Sequence, residues 1–171
     1  MSLGPFWRSN APHRDERALL QGIVTDSRTG EPIDNAELDV WEAAPNGKYE
    51  QQDPNQKDMN LRGQFNTSKD GRYYFYCLRP TTYAIPDGGP AGELLKLLGR
   101  HLMIPAHIHF IVSVPDYRPV VTELFDRQDK HVHDDAGFAV RDSLIVDFLP
   151  LVADENAVYE TECNFKLTKL E

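Results

Sequence analysis

The run Pro105-Ala106-His107-Ile108-His109-Phe110-Ile111-Val112 constrains the fold more than any other stretch of the chain. Side chains two residues apart on a β-strand share a face. A strand here therefore points His107 and His109 to one side and Ile108, Phe110, Val112 and Val114 to the other, into a core. Two imidazoles held together on a stiff, half-buried strand make a bidentate platform for a metal ion. Taken alone, the pair is equally consistent with two histidines on the wet face of a strand.

Other stretches repeat the period-two pattern. Ala18 to Thr25 alternates loosely, and Thr29-Gly30-Glu31-Pro32 turns the chain. From Ala36 to Ala43, Ala36, Leu38, Val40 and Glu42 fall on one face and Glu37, Asp39, Trp41 and Ala43 on the other. Pro45-Asn46-Gly47 is a turn, and the polar residues 50–61 have no period, as expected of a long functional loop. Lys69-Asp70-Gly71 precedes the aromatic strand Tyr73 to Cys77. Arg79 to Pro86, interrupted by prolines, is predicted to be a structured loop. The one predicted helix, Ala91 to Leu98, stops at Gly99. Strands are then expected over His107 onward, Val120 to Phe125, Ala139 to Phe148 and Tyr159 to Leu167. The expected class is all-β: an immunoglobulin- or prealbumin-like β-sandwich of roughly seven or eight short strands, with long loops and one short helix.

At 171 residues the chain is read as one domain, 1–171, with a sizeable core. Residues 1–17 form a lead-in whose Phe6 and Trp7 are expected to pack onto the domain near the active site. A net charge of −9 opposes nucleic-acid and anionic-membrane partners. The first twenty residues hold no apolar run typical of a signal peptide, and no stretch is long enough to span a bilayer. Cys77 and Cys163 are too few for a disulfide framework or a zinc site. They are expected as buried thiols, in keeping with a reducing, cytoplasmic compartment.

Two tyrosines leave the alternating pattern. Tyr49 follows the Gly47 turn, and Tyr83 lies between Pro80 and Pro86, whose rings fix much of the backbone. Phenolate is a hard anionic ligand and imidazole a borderline one, so the four residues together would suit a hard metal such as Fe(III). Each tyrosine also has a plainer reading: Tyr49 as an aromatic cap on the end of the sandwich, Tyr83 as a side chain bonded back to its own loop. Spacing alone does not connect either to the histidines.

Motifs in order along nearly the whole chain resemble those of the intradiol ring-cleavage dioxygenases. They are Gly47-x-Tyr49, Leu61-Arg62-Gly63, Asp70-Gly71-x-Tyr73, Pro80-Thr81-Thr82-Tyr83-Ala84-Ile85-Pro86, Gly89-Pro90 and Pro105-Ala106-His107-Ile108-His109. Leu124-Phe125-Asp126-Arg127 through Asp135, and Phe138-Ala139-Val140 to Asp142-Ser143-Leu144, continue the series. The resemblance is to the catechol and hydroxyquinol 1,2-dioxygenase branch. It implies one non-haem Fe(III) per chain, held by Tyr49, Tyr83, His107 and His109. It also implies catalytic roles for both tyrosines, with Tyr83 the one displaced by substrate. The implied substrates are a small aromatic diol or triol and O2, and the implied products are of the muconate or maleylacetate type. Gly4, Pro5, Phe6, Ile85, Pro86 and Ile104 would line the substrate pocket.

Three departures stand against the pattern. Ile104 occupies the place where the family usually has Arg, three residues before the first histidine. An isoleucine cannot donate a hydrogen bond or charge, and losing such preorganised stabilisation costs about 10²–10³ in rate. Arg100 and Arg62 are candidate replacements, Arg62 equally a structural residue. Glu123 follows Thr122 where relatives carry Gln or His. The helical N-terminal segment that makes the family's dimer is not recognisable, so the chain is expected to be a catalytic-domain fragment or a minimal form, and the oligomeric state is left open. Two alternatives remain: a catalytically weakened relative acting as a metal- or ligand-binding sandwich, or an Fe(II) two-His-one-carboxylate oxygenase using His107, His109 and Glu123. The cupin form of that triad fails, because Val112 or Ser113 stands where its carboxylate belongs. Lys130 to Asp135 is read as a solvated loop rather than a second metal cluster.

Overall fold

The computed structural model describes residues 17–170. Its strands, in chain order, are β1 (Arg17–Asp26), β2 (Glu37–Glu42), β3 (Arg62–Asn66), β4 (Arg72–Leu78) and the two-residue β5 (Tyr83–Ala84). Helix α1 (Pro90–Leu97) separates these from β6 (Met103–Ile104), β7 (His107–Ser113), β8 (Tyr117–Arg118) and β9 (Val120–Asp126). The chain closes with β10 (Ile145–Val146), β11 (Leu149–Pro150), β12 (Tyr159–Glu162) and β13 (Phe165–Lys169).

As expected, the architecture is a β-sandwich with one helix. One sheet runs β10-β9-β7-β2-β3. The other is built around β1, which pairs antiparallel with β4 along one edge and parallel with β12 and β13 along the other. Between them lies an apolar core. Leu38 and Val40 of β2 and Ile108, Phe110 and Val112 of β7 meet Leu20, Val24, Phe75, Phe165 and Leu167 of the facing sheet. Aromatic rings fill its centre: Phe65 stacks on Phe75 at 4.4 Å between centroids, and Phe110 meets Phe165 at 5.3 Å. Helix α1 begins with Pro90 after Gly89 and ends in a Schellman turn: Arg100 N–H donates to the Leu95 carbonyl and Gly99 (φ 65°) N–H to that of Lys96.

Three expected segments differ. Tyr159 to Leu167 is two strands, because Ile23 N–H donates to the Asn164 side-chain oxygen at 2.8 Å. The interruption at Cys163 and Asn164 lets the chain pair with β1 in two successive stretches. Ala139 to Phe148 is not one strand either. The Asp135 carboxylate takes the N–H groups of Ala139 and Val140, Asp142–Leu144 makes a single 3-10 turn, and only Ile145–Val146 joins the sheet. Tyr83 lies in a short strand rather than a plain loop, paired with Ile104. Cys77 and Cys163 are free and partly exposed as residues. Burial nevertheless pushes both thiols up, that of Cys163 to about 12. No helix among the described residues is long and apolar enough to cross a membrane.

Gly22 marks the crossover on β1. A Cβ there would overlap the carbonyl oxygen of Cys163, which also accepts the Tyr73 hydroxyl at 2.7 Å. The obstructing atom is backbone, so relief requires separating β1 from its neighbour. Gly22→Ala is expected to cost about 3 kcal/mol, the upper end for overpacking, as a lowered denaturation midpoint. An unchanged midpoint would contradict the close approach.

Candidate metal centre and pocket

The histidines occupy the outer face of β7, opposite the core. His107 lies beside Phe125 of β9, and His109 lies between Trp41 of β2 and Glu123 of β9. Loops cover this face, leaving His107 only 3% exposed and His109 half-buried.

Glycine geometry brings Tyr49 in. Gly47 has φ 75°, and a Cβ on it would stand 3.0 Å from the Tyr83 Cβ. Only glycine meets both demands, the left-handed backbone and the close approach. Tyr83 is carried to the histidines by β5–β6 pairing and by Asp129. One Asp129 oxygen accepts the Thr82 hydroxyl and, at 3.1 Å, the Ala106 N–H; the other accepts the His131 N–H at 2.7 Å. At the base of the same loop, Arg79 pairs with the buried Asp126 at 2.6 Å.

Four donor atoms converge. Nε2 of His107 and Nε2 of His109 are 3.0 Å apart, the Tyr49 Oη is 3.1 Å from His109 Nε2, and the two tyrosine Oη atoms are 3.4 Å apart. His107 Nδ1 lies 2.7 Å from the Pro105 carbonyl. A carbonyl only accepts, so Nδ1 carries a proton, and the neutral form of the ring presents its Nε2 lone pair to the cluster. Burial, then the neighbouring His107 and Arg62, push His109 down to about 4, so its imidazole is neutral at neutral pH. Burial raises the phenols of both Tyr49 and Tyr83. The cluster is thus rich in lone pairs and poor in positive charge, which fits a bound cation. Two nitrogens sharing a first-row metal at about 2.1 Å stand roughly 3 Å apart, as these do.

Tyr83, His107 and His109 line a cavity of about 280 Å³ whose walls include Ile85, Pro86, Ile104, Phe125, Glu123 and Ala139. A cavity of about 150 Å³ holds benzene, so there is room for one substituted ring. Ile85, Pro86 and Ile104, expected as walls, all line it; Gly4, Pro5 and Phe6 lie outside the described residues. Neither candidate arginine is among the lining residues. Arg100 donates to the carbonyls of Asp134 and Asp135 and lies 4.3 Å from the Phe138 ring. Arg62 pairs with the buried Glu50 at 2.6 Å.

The residues that sequence alone missed act through loops. Asp135 accepts N–H groups from Gly137 at 2.8 Å and Ala139 at 2.7 Å and so shapes one cavity wall. The 130–135 loop is solvated at Lys130, His133 and Asp134, while Val132 and Asp135 are buried. His131 and the unanticipated His101 both face Asp134, at 3.0 and 3.1 Å. His101 Nδ1 accepts the Met103 N–H, so its proton is on Nε2, facing Asp134. That arrangement is a hydrogen-bonded clasp, not a set of free metal donors.

A family model described as Dioxygenase matches residues 7–169. The chain is 42% identical to the intradiol ring-cleavage dioxygenase prcA of Aspergillus niger, over 95% of this chain and 56% of that protein. It is also 42% identical to a hydroxyquinol 1,2-dioxygenase of Rhizobium sp., over 85% and 53%. Among solved structures, a hydroxyquinol 1,2-dioxygenase from Pseudomonas putida DLL-E4 superposes with a TM-score of 0.83 at 35% identity, over 98% of this chain and 65% of that one. The catechol 1,2-dioxygenase of Acinetobacter sp. ADP1 gives 0.86 at 31% identity, over 96% and 56%. The chain spans a little over half the length of the curated relatives it matches. It belongs to the intradiol ring-cleavage dioxygenases, in the branch of the catechol and hydroxyquinol 1,2-dioxygenases.

Proposed function

We propose that this chain is the catalytic domain of a ferric intradiol dioxygenase, with Fe(III) held by Tyr49, Tyr83, His107 and His109. The observation that carries the reading is the convergence of two phenol oxygens and two imidazole nitrogens beside a cavity with room for one ring, which Tyr83, His107 and His109 line. Phenolate oxygen favours a hard, high-valent metal over zinc or copper(I). The chemistry a ferric ion supplies when bound is Lewis-acid binding of both oxygens of an ortho-diol, which leaves the ring reactive toward O2.

The protein's part follows from its side chains. Tyr83 faces the cavity, and burial raises its phenol, so as an anion it is a strong base. With iron held by Tyr49, His107 and His109, the Tyr83 Oη would be the group placed to take one diol proton. Ile85, Pro86, Ile104 and Phe125 hold the ring flat and exclude water. Both atoms of O2 enter a product opened between the two hydroxylated carbons, a cis,cis-muconate from catechol or a maleylacetate-type acid from hydroxyquinol.

A second reading, a ligand-binding relative with weakened turnover, is favoured by one observation: Ile104 stands at the cavity wall, and neither Arg62 nor Arg100 lines it. Oxygen uptake by the iron-loaded protein with catechol and with hydroxyquinol separates the two. The expected result is one O2 consumed per ring-opened product; tight diol binding with no uptake would favour the second reading. Tyr83→Phe is expected to lower kcat by at least about 10², the low end for a positioned general base, and near-normal turnover would remove that role. Ile104→Arg is expected to raise kcat toward about 10²-fold through the restored donor. An unchanged rate would contradict a missing guanidinium.

A further inference from the structure

One row of side chains crosses the outer face of the histidine sheet, each directly opposite the next: Arg62 on β3, Trp41 on β2, His109 on β7 and Glu123 on β9. Arg62, anchored by Glu50, lies 6.0 Å from the Trp41 ring. Trp41 stacks on His109 with centroids 4.9 Å apart and planes 13° from parallel. On the far side, Glu123 Oε2 is 3.5 Å from His109 Nδ1. Directly opposed cross-strand neighbours are the pairs that a sheet holds most firmly in register.

The two imidazoles therefore face unlike groups. His107 Nδ1 faces a neutral carbonyl, that of Pro105, whereas His109 Nδ1 faces the Glu123 carboxylate, whose same oxygen stands farther off, 3.9 Å, from His107 Nε2. A cation at the cluster needs both Nε2 lone pairs. The His109 proton then belongs on Nδ1, where Glu123 is the group placed to accept its hydrogen bond.

We infer that Glu123 is a positioning residue for the metal ligand His109: its carboxylate takes the Nδ1–H, frees Nε2 for the metal, and makes this imidazole the stronger donor of the two, while Trp41 fixes the plane of the ring. The inference rests on the metal-site reading above. A carboxylate behind a metal-bound histidine orients the ring and raises its basicity, and removing such a partner typically lowers metal affinity about 10- to 100-fold. Trp41 stacking and the register across β9 leave the imidazole little freedom to rotate away.

The test uses iron-loaded wild type, Glu123→Gln and Glu123→Ala, with iron affinity and the visible tyrosinate-to-iron band as readouts. Thermal unfolding of the metal-free proteins serves as the check on folding. Glu123→Gln keeps an acceptor but loses the charge. It is expected to hold iron within about threefold of wild type, with the band moved to longer wavelength because the iron is more electron-poor. Glu123→Ala is expected to lose affinity about 10- to 100-fold with unfolding unchanged. Wild-type affinity and an unmoved band in both variants would overturn the inference and leave the four-ligand site standing. Equal, complete loss of iron in both would overturn it by making Glu123 a ligand itself. A wild type that binds no iron would overturn the metal-site reading itself, a result distinct from either.

Discussion

Everything in this domain depends on period two along β7. Its inner residues Ile108, Phe110 and Val112 are buried at the centre of the sandwich, and its outer residues His107 and His109 form half of the donor cluster. A slip of one residue would exchange the two faces, burying imidazoles in the core and exposing a phenylalanine. The core that holds the sheets together thus fixes the direction of the two histidines proposed as metal donors as well. Neighbouring strands flank His109 in the same register, Trp41 from one side and Glu123 from the other.

The second constraint is electrostatic. A neutral His109 imidazole, a His107 ring anchored through Nδ1 to a carbonyl, and two phenols raised by burial gather donor atoms in one place. Nearby cations are engaged elsewhere: Arg62 by Glu50, Arg79 by Asp126, Arg100 by backbone carbonyls. Ion pairs with one deeply buried partner are expensive to break from one side only, which keeps these arginines out of the cluster. What remains is a cavity with an apolar wall and lone pairs at one end.

Much of this was legible in the sequence, and the reason is local. Alternation located the strands through the core, and His-x-His declared its face because strand geometry leaves no other choice. Tyr49 and Tyr83 could not be joined to the histidines by spacing; ordered motifs along the chain suggested the grouping. The residues that carry the loops into place left no local signal. Asp129 joins Thr82, Ala106 and His131, and Asp135 gathers amides up to five residues away, so their roles exist only once the chain is folded. The same side-chain acceptors explain the misread strands: Asp135 and Asn164 take N–H groups that composition alone would assign to a ladder. Glu123 was visible as an oddity, but its position against His109 Nδ1 depends on the pairing of β7 with β9.

The most direct test of the central claim is the visible absorption spectrum of the iron-loaded protein, titrated with catechol under argon. Two tyrosinates on ferric iron predict a broad charge-transfer band that moves to longer wavelength as the diol binds. A colourless protein with iron demonstrably bound would contradict ligation by Tyr49 and Tyr83, and with it the ferric four-ligand site.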